Sequence, residues 1–550
     1  MGRALEQGVS CLSAKGNTAP QKPEPAAKQP FREAKRPKPA ARCRLDRGSS
    51  CGPVRTRDQV EKFLAIAGVL YQLMVYVVQS VIQVLPHPMT RFVSRHVPIE
   101  MAALWVGELL LSVGVFLIAL GGVLAPLVPL GAPLPGAPLP WAAALAVLLG
   151  GSGVVLGLYR TDSLLDRRLV LNAALAAVLA FPVALLVGGR IAGGSVGANL
   201  SGRYALSLVL LLLLWFAVTV TTRYALRLPF ARRLFVHRVL LVGPGATALR
   251  VILDSQPTHR FAYQSLPPGA EAVAPSDGSS ARHGAPWGVL LANSAVPRAP
   301  TPDPTPLSPE LRRYRRQGVR IFDRSSFFEH CLGRADLAFL TDSWFISGGG
   351  FVETRFQAAA KRALDVAASL FLLVLTFPLM LLVALAVSFD SPGPVLYRQQ
   401  RVGRYGQVFT LLKFRSMRAD AERGGTPVWA AKGDDRVTSI GRIIRATRID
   451  ELPQLFNVLR GEMSLVGPRP ERPHFVEQLA EIIPFYRERS LAKPGITGWA
   501  QVNYPYGASV EDAREKLAYD LYYIKHRGLL LDLLVLLSTV RVILLREGAR

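Results

Sequence analysis

Four stretches after residue 390 set cations, carboxylates and rigid turns at spacings that suit the handling of phosphate. Lys413-Phe-Arg-Ser-Met417 closes a strand-like apolar run with two cations, Lys413 and Arg415. Arg445-Ala-Thr-Arg-Ile-Asp-Glu-Leu-Pro453 places the adjacent carboxylates Asp450 and Glu451 between arginines and a helix. Val466-Gly-Pro-Arg-Pro-Glu471 is a rigid turn presenting Arg469, and Lys493-Pro-Gly-Ile-Thr-Gly498 is a second turn with a cation, backbone amides and a hydroxyl. Lys and Arg neutralise phosphate oxygens, Arg with a two-pronged fork. Leu452, Leu455, Phe456 and Leu459 have helical spacing, and Pro453 suits a first helical turn. Asp450 then lies near a helix N-terminus, where a carboxylate can cap the helix, bind a metal or attack phosphorus. Each arginine taken singly reads as a surface ion pair. Gathered around paired carboxylates, they read as a site.

These residues need a scaffold, and the composition says where it sits. The chain has 550 residues, 50% hydrophobic and only 19% charged, with a net charge of +26. Mean hydropathy is +0.26, and a soluble chain carries about 25% charged residues. A membrane protein with basic cytosolic parts follows, with an anionic partner such as lipid phosphate or a nucleotide. Cys11, Cys43, Cys51 and Cys331 lack metal-ligand spacing, which excludes a structural zinc site and a disulfide framework and fits a reducing compartment.

Residues 1–60 hold 13 Lys/Arg against 5 Asp/Glu, without apolar periodicity, and read as a disordered basic tail drawn to anionic lipid rather than to nucleic acid. Residues 61–88 form an uncertain apolar segment at the membrane interface. Within 89–230, spans of about 101–125, 139–158, 169–189 and 204–226 approach the ~20 residues that cross a bilayer. Arginines crowd the loops on one side of this bundle (Arg91, Arg95, Arg160, Arg167, Arg168, Arg223, Arg227), so both ends face the cytosol. Residues 237–345 read as a degenerate Rossmann-like α/β domain. Gly243, Gly245 and Ala248 match a dinucleotide fingerprint, but the acidic residue that would hold a ribose is missing, and a structural βαβ remnant is preferred. A Pro-rich loop or linker is expected at 267–309, and a returning strand at Gly318-Val-Arg-Ile-Phe322. Residues 355–550 form a mostly helical domain entered through an apolar helix at about 362–389. Pro378 breaks its middle and both flanks are basic, so an ordinary span and a helix that enters one leaflet and returns stand about even.

From about residue 360 onward the chain resembles the bacterial sugar transferase family, the monotopic phosphoglycosyl transferases. The resemblance rests on Lys413–Met417, Asp450-Glu-Leu-Pro-Gln-Leu-Phe-Asn-Val-Leu459, Gly461-Glu-Met-Ser-Leu-Val-Gly-Pro-Arg-Pro470, Lys493-Pro-Gly-Ile-Thr-Gly-Trp-Ala-Gln-Val502 and Tyr519-Asp-Leu-Tyr-Tyr523. With the four spans and the α/β insert it resembles the long form, the exopolysaccharide polyprenyl glycosylphosphotransferases. The resemblance implies that Asp450 is the nucleophile toward the β-phosphate of a UDP-sugar, glucose favoured. UMP would leave, and undecaprenyl phosphate would take the sugar phosphate from the aspartate as the first membrane step of exopolysaccharide assembly. It further implies that Glu451 completes the dyad and that Mg is held through Asp450. Lys413, Arg415, Arg445, Arg469, Lys493 and Asp520 would bind phosphate or substrate. The Val366–Phe389 segment would be a re-entrant helix at the cytosolic face of the inner membrane, which tips the even balance toward the hairpin. The oligomeric state, a homo-oligomer included, is left open.

Two departures stand out. Phe377 precedes Pro378 where many members have Ser, and Arg448 stands where Ser is common, two residues before the nucleophile; its cation either strengthens the site or points outward. Two other readings compete. A metal-dependent glycosyltransferase releasing UDP generally needs an Asp-x-Asp pair, which the sequence lacks. An inactive membrane scaffold has no need of an intact Asp450–Glu451 pair.

Overall fold

A computed structural model describes residues 75–76, 78–80, 96, 98–119, 138–160, 169–191, 202–226, 236–255, 261–265, 286–292, 309–347, 351, 353–418, 434–505, 507 and 509–545. The expected basic tail and most of the interfacial segment lie outside them.

Four helices come first: α1 Ile99–Ile118, α2 Pro138–Val155, α3 Leu169–Ile191 and α4 Gly202–Leu226. Each packs on its neighbour in sequence, and α4 returns to α1. Small side chains fill the centre, with Ala142, Ala146, Ala173, Ala176 and Ala180 packed around Phe116, Leu149 and Trp215. Apolar side chains also cover the outside, among them Leu110, Leu171, Val178 and Leu213. That is the pattern of helices with a lipid-like surround rather than an aqueous one. Of the four, α1 is long and apolar enough to cross a membrane; the described apolar stretches of the others are Ala142–Val155, Leu169–Ala184 and Leu208–Tyr224. Inside, Glu108 accepts from Arg223 Nη2 at 3.1 Å, Tyr159 Oη at 2.8 Å and Thr222 Oγ1 at 2.7 Å.

A parallel sheet follows, ordered β2-β1-β3-β4, from β1 His237–Val242, β2 Phe261–Ser265, β3 Gly288–Leu291 and β4 Arg320–Asp323. Helices α5 Ala246–Asp254 and α7 Arg324–Cys331 pack on one face, against Val239, Leu241 and Leu290, and α6 Pro309–Arg316 covers the other through Tyr314. This is a doubly wound half-domain. Strand β3 lies inside the stretch expected to be a Pro-rich loop. Its four apolar residues, Gly-Val-Leu-Leu, are too few to announce a strand among flanking Pro and Ser, and pairing on both edges makes it central. At the end of β1, a Cβ on Gly243 would lie 2.6 Å from the Ala292 carbonyl oxygen. The Gly245 amide donates to that same oxygen at 3.1 Å. The glycine turn therefore closes the sheet, and this amide is committed within the protein.

The last region begins with α8, Arg355–Asp390, capped by Thr354 and Gln357. It is the second helix long and apolar enough to cross a membrane. Pro378 lies inside it, yet the expected break does not divide the element: a proline removes one helical hydrogen bond and can bend a helix without ending it. Both ends are bound to the same domain. Near the start, Arg362 donates to the Val458 and Leu459 carbonyls at 2.6 and 2.7 Å, and Asp365 accepts from Ser464 and the Leu465 amide at 3.0 Å. Near the finish, Val383 and Val387 pack on Phe414 and Ile444. Between them the helix is apolar and bare, with Phe371 67% and Val374 79% exposed, as a lipid-facing segment would be. The remaining elements are the hairpin β5 Leu396–Val402 and β6 Val408–Phe414, then α9 Ser439–Ala446, α10 Gln454–Arg460, β7 Ser464–Val466, α11 Pro473–Ile482, β8 Gly495–Thr497, α12 Val510–His526 and α13 Leu529–Leu544. Leu455, Val458, Met463, Leu465, Leu521 and Val535 form their shared core.

Candidate active site

Asp450 and Glu451 sit in a single tight turn, Ile449–Glu451, between α9 and α10. The chain reaches it through Arg448, whose φ of 61° is left-handed and reverses direction after α9. Pro453 then starts α10. Both carboxylates are buried, and their surroundings differ sharply.

Glu451 Oε1 collects three cations: Arg469 Nη2 at 2.7 Å, Lys413 Nζ at 3.3 Å and Arg448 Nη1 at 3.7 Å. Burial opposes its charge, but Arg469, Lys413 and Arg448 outweigh burial and hold the carboxyl well below its ordinary range. Asp450 has the opposite balance. Burial pushes it up, Lys413 opposes the rise, and the negative Glu451 reinforces it. Among the described residues no hydrogen bond or ion pair engages the Asp450 carboxylate, and the turn has no side-chain cap. Capping is thus not its role. The dyad divides into one carboxylate that anchors cations and one left without a partner.

Strand β6 delivers Lys413, whose ammonium is destabilised by burial and supported by Glu451. The turn after β7 delivers Arg469. That turn can form because a Cβ on Gly467 would fall 2.2 Å from the Lys493 carbonyl oxygen, and one on Gly495 only 2.1 Å from the Gly467 nitrogen. Only glycines permit the two turns to touch. The Pro-Gly-Ile-Thr-Gly turn thus supports the Pro-Arg-Pro turn through its backbone. Two further arginines brace the latter: Arg401 donates to the Pro470 carbonyl at 3.0 Å, and Arg489 to the Arg469 carbonyl at 2.9 Å. Arg489 is itself held by Asp520 at 2.9 Å and by the Tyr486 hydroxyl at 2.8 Å. Burial pushes the Asp520 carboxyl up to about 6 against the opposing charge of Arg489.

Of the expected residues, Lys413, Asp450, Glu451 and Arg469 converge. Asp520 joins them at one remove, orienting Arg489 rather than meeting a substrate. Arg415 does not belong to the group. It is buried and donates from Nη2 to the Val387 and Ser391 carbonyls at 3.1 and 2.5 Å, closing the C-terminal end of α8. Its sequence partner Lys413 is two residues away on a strand, close enough to look paired with it. Lys493 also lies apart, beside Arg362 at Gly461, which is the far end of α10 from the dyad. Arg445 ends α9 half-buried, and among the described residues it has no contact with either carboxylate; its field reaches Asp434, which is held low chiefly by Arg436. Arg448 points inward. Gln501, which accepts from Arg469 Nη1 at 3.4 Å, lies within the Lys493–Val502 stretch without standing out there, and Arg401 and Arg489 carry no motif signal of their own.

A magnesium ion needs only one or two carboxylates plus phosphate oxygens and water. Asp450, unengaged, fits that donor set. Glu451 fits through Oε2 alone, since all three cations meet Oε1. Among the described residues no cluster of three acidic, His or Cys ligands offers a fuller cage.

A buried carboxylate without a partner, a second one ringed by cations and an apolar helix rooted beside them make a site whose chemistry suits phosphate esters beside a membrane. The model of the family described as bacterial sugar transferase matches residues 356–546. The chain is 48% identical over 191 residues to the UDP-glucose:undecaprenyl-phosphate glucose-1-phosphate transferase of Caulobacter vibrioides, spanning 34% of this chain and 71% of that one. It is 47% identical over 232 residues to the UDP-N-acetylgalactosamine-undecaprenyl-phosphate N-acetylgalactosaminephosphotransferase of Aeromonas hydrophila, spanning 42% of this chain and 54% of that one. It is 39% identical over 203 residues to the undecaprenyl-phosphate galactose phosphotransferase of Salmonella typhimurium, spanning 34% and 41%. The chain belongs to the bacterial sugar transferase family, and it spans about half the length of the Aeromonas relative.

Proposed function

We propose that the protein transfers a sugar 1-phosphate from a UDP-sugar to undecaprenyl phosphate, releasing UMP, as a first membrane step of exopolysaccharide assembly. The observation that carries this reading is the split dyad: Asp450 buried without a partner beside a Glu451 already loaded with three cations. Asp450 attacks the β-phosphorus, the bond to the bridging oxygen breaks, and UMP departs with that oxygen. A phosphate oxygen of undecaprenyl phosphate then attacks the same phosphorus and displaces the Asp450 carboxylate, which is regenerated. Arg469, Lys413 and Arg448 sit where negative charge accumulates in both steps. Burial keeps the Asp450 carboxylate poorly solvated, and therefore reactive once ionised. Magnesium, when bound at Asp450 and the free oxygen of Glu451, supplies further neutralisation of the pyrophosphate.

In this reading the four-helix bundle spans the bacterial inner membrane with both ends cytosolic, and α8 enters one leaflet and returns. Binding of both ends of α8 to one domain supports the return. Relatives of comparable identity carry names for glucose, N-acetylgalactosamine and galactose donors; UDP-glucose is the donor proposed here. The test is nucleotide release by protein-bearing membranes given undecaprenyl phosphate, magnesium and a panel of UDP-sugars, beside Asp450→Asn. Lipid-dependent UMP from one donor, absent in the variant, is expected. UDP release would move the protein to the glycosyltransferases, and bound nucleotide without turnover would make it a scaffold.

A further inference from the structure

A second group of cations lies away from the dyad, at the root of α8. A Cβ on Gly461 would lie 3.7 Å from Arg362 Nη2 and 3.8 Å from Lys493 Nζ, so the two cations converge over one backbone position. Neither forms an ion pair with a carboxylate among the described residues. Arg362 is held only by the two carbonyls that end α10. Arg404 and Arg527 lie nearby and share one carboxylate, that of Glu353, at 3.7 and 3.5 Å. Asp365, the other acid in reach, is buried and accepts from Ser464 and the Leu465 amide through Oδ1. Burial and the charges of Arg362 and Arg404 depress the Lys493 ammonium, against partial support from Asp365 and Glu353. Four cations therefore outnumber the two carboxylates, Glu353 and Asp365, at the root of α8, where Arg362 lies four residues before the apolar stretch that begins at Val366. A cation pair placed there faces the depth at which lipid phosphates lie.

We propose that Lys493 and Arg362 form a binding site for a lipid phosphate at the foot of α8, separate from the dyad. It rests on the proposed function only for the membrane around α8. The site gives the cation of the Lys-Pro-Gly turn a role without placing it at the reaction centre: the turn's backbone supports Arg469, while its side chain holds lipid. Two lipids offer this chemistry, a bulk anionic phospholipid and the undecaprenyl phosphate acceptor.

The full chain in phosphatidylcholine nanodiscs, supplied with phosphatidylglycerol in one arm and undecaprenyl phosphate in the other, separates them. Lipid retained by the protein is counted by native mass spectrometry. Lys493→Gln is expected to lower retention about fivefold in the arm whose lipid occupies the site, and Lys493→Arg to restore most of it. Loss confined to the phosphatidylglycerol arm assigns a bulk-lipid anchor, and loss confined to the other arm an acceptor site. Asp450→Asn should retain lipid as wild type does, so a failed transfer assay and a failed lipid site are told apart. Equal retention by folded wild-type protein, Lys493→Gln and Lys493→Arg in both arms overturns the proposal. A Lys493→Gln variant that does not fold leaves Arg362→Gln to decide: lowered retention by folded protein supports the site, and wild-type retention refutes it.

Discussion

Asp520→Asn separates support from chemistry at this site. The carboxyl titrates at about 6 and holds Arg489, which holds the Arg469 carbonyl. At pH 7 about nine-tenths of it is ionised, and at pH 5 about one-tenth, so the ionised brace changes about tenfold across that window. kcat/KM for the UDP-sugar should therefore rise about tenfold from pH 5 to pH 7 with an apparent pKa near 6. The donor's pyrophosphate has no monoester proton to lose there, so the limb belongs to the protein. Asparagine keeps the shape but not the charge. A hydrogen bond to a charged group is worth about 1.5–3 kcal/mol, so loss of the Asp520–Arg489 bond would lower kcat/KM by at most roughly 10- to 150-fold at pH 7. The variant's profile should lose the Asp520 contribution and keep only the limb of Asp450, whose carboxyl burial also raises. Stability carries a matching sign. A carboxyl raised from 3.8 to about 6 favours the folded state below its unfolded pKa, and that contribution, about 3 kcal/mol, fades as pH climbs through 6. Nucleotide release measured from pH 5 to 8 for both proteins checks the argument. An Asn variant with wild-type kcat/KM at pH 7 would refute the relay from Asp520 to Arg469.

Other substitutions test neighbouring claims. Glu451→Gln strips three cations of their shared anion and should lower stability by about 3 kcal/mol, read as thermal unfolding in detergent, besides abolishing most turnover. Arg415→Met should lower that melting temperature while leaving KM for the UDP-sugar within about twofold, because Arg415 closes α8; a large KM rise would return it to the substrate site. Gly467→Ala forces a methyl onto the Lys493 carbonyl and should cut folded yield or activity by at least about tenfold, measured as nucleotide release per folded protein.

Clusters of chemistry were the most legible part of the chain. Asp450, Glu451, Lys413 and Arg469 each sit in a motif whose residue types are unusual together, and all four meet. Positions of the apolar helices were legible for the same reason that hydropathy works: twenty apolar residues have few alternatives. What failed was inference from nearness in sequence. Arg415 is two positions from Lys413 but points to the end of α8, and Lys493 is two positions from Gly495 yet serves the far end of α10. Arg489 was invisible because nothing in Tyr-Arg-Glu-Arg-Ser records that its partner lies on α12. Strand β3 was lost because four residues between proline-rich flanks carry too little periodicity to separate strand from loop.

Glu451 also gives the site a tenant of its own kind. Its carboxylate occupies the position between Arg469, Lys413 and Arg448 that an arriving phosphate would seek, so every visitor must outcompete a resident anion that never diffuses away. A single phosphate, abundant in cytosol, offers little advantage in that contest. A pyrophosphate, with two groups to engage the cations at once, offers far more. In the proposed reaction, the same residue that keeps three cations assembled in a buried pocket would act as a threshold, raising the entry requirement for simple anions and lowering the residence of a spent nucleotide with one phosphate.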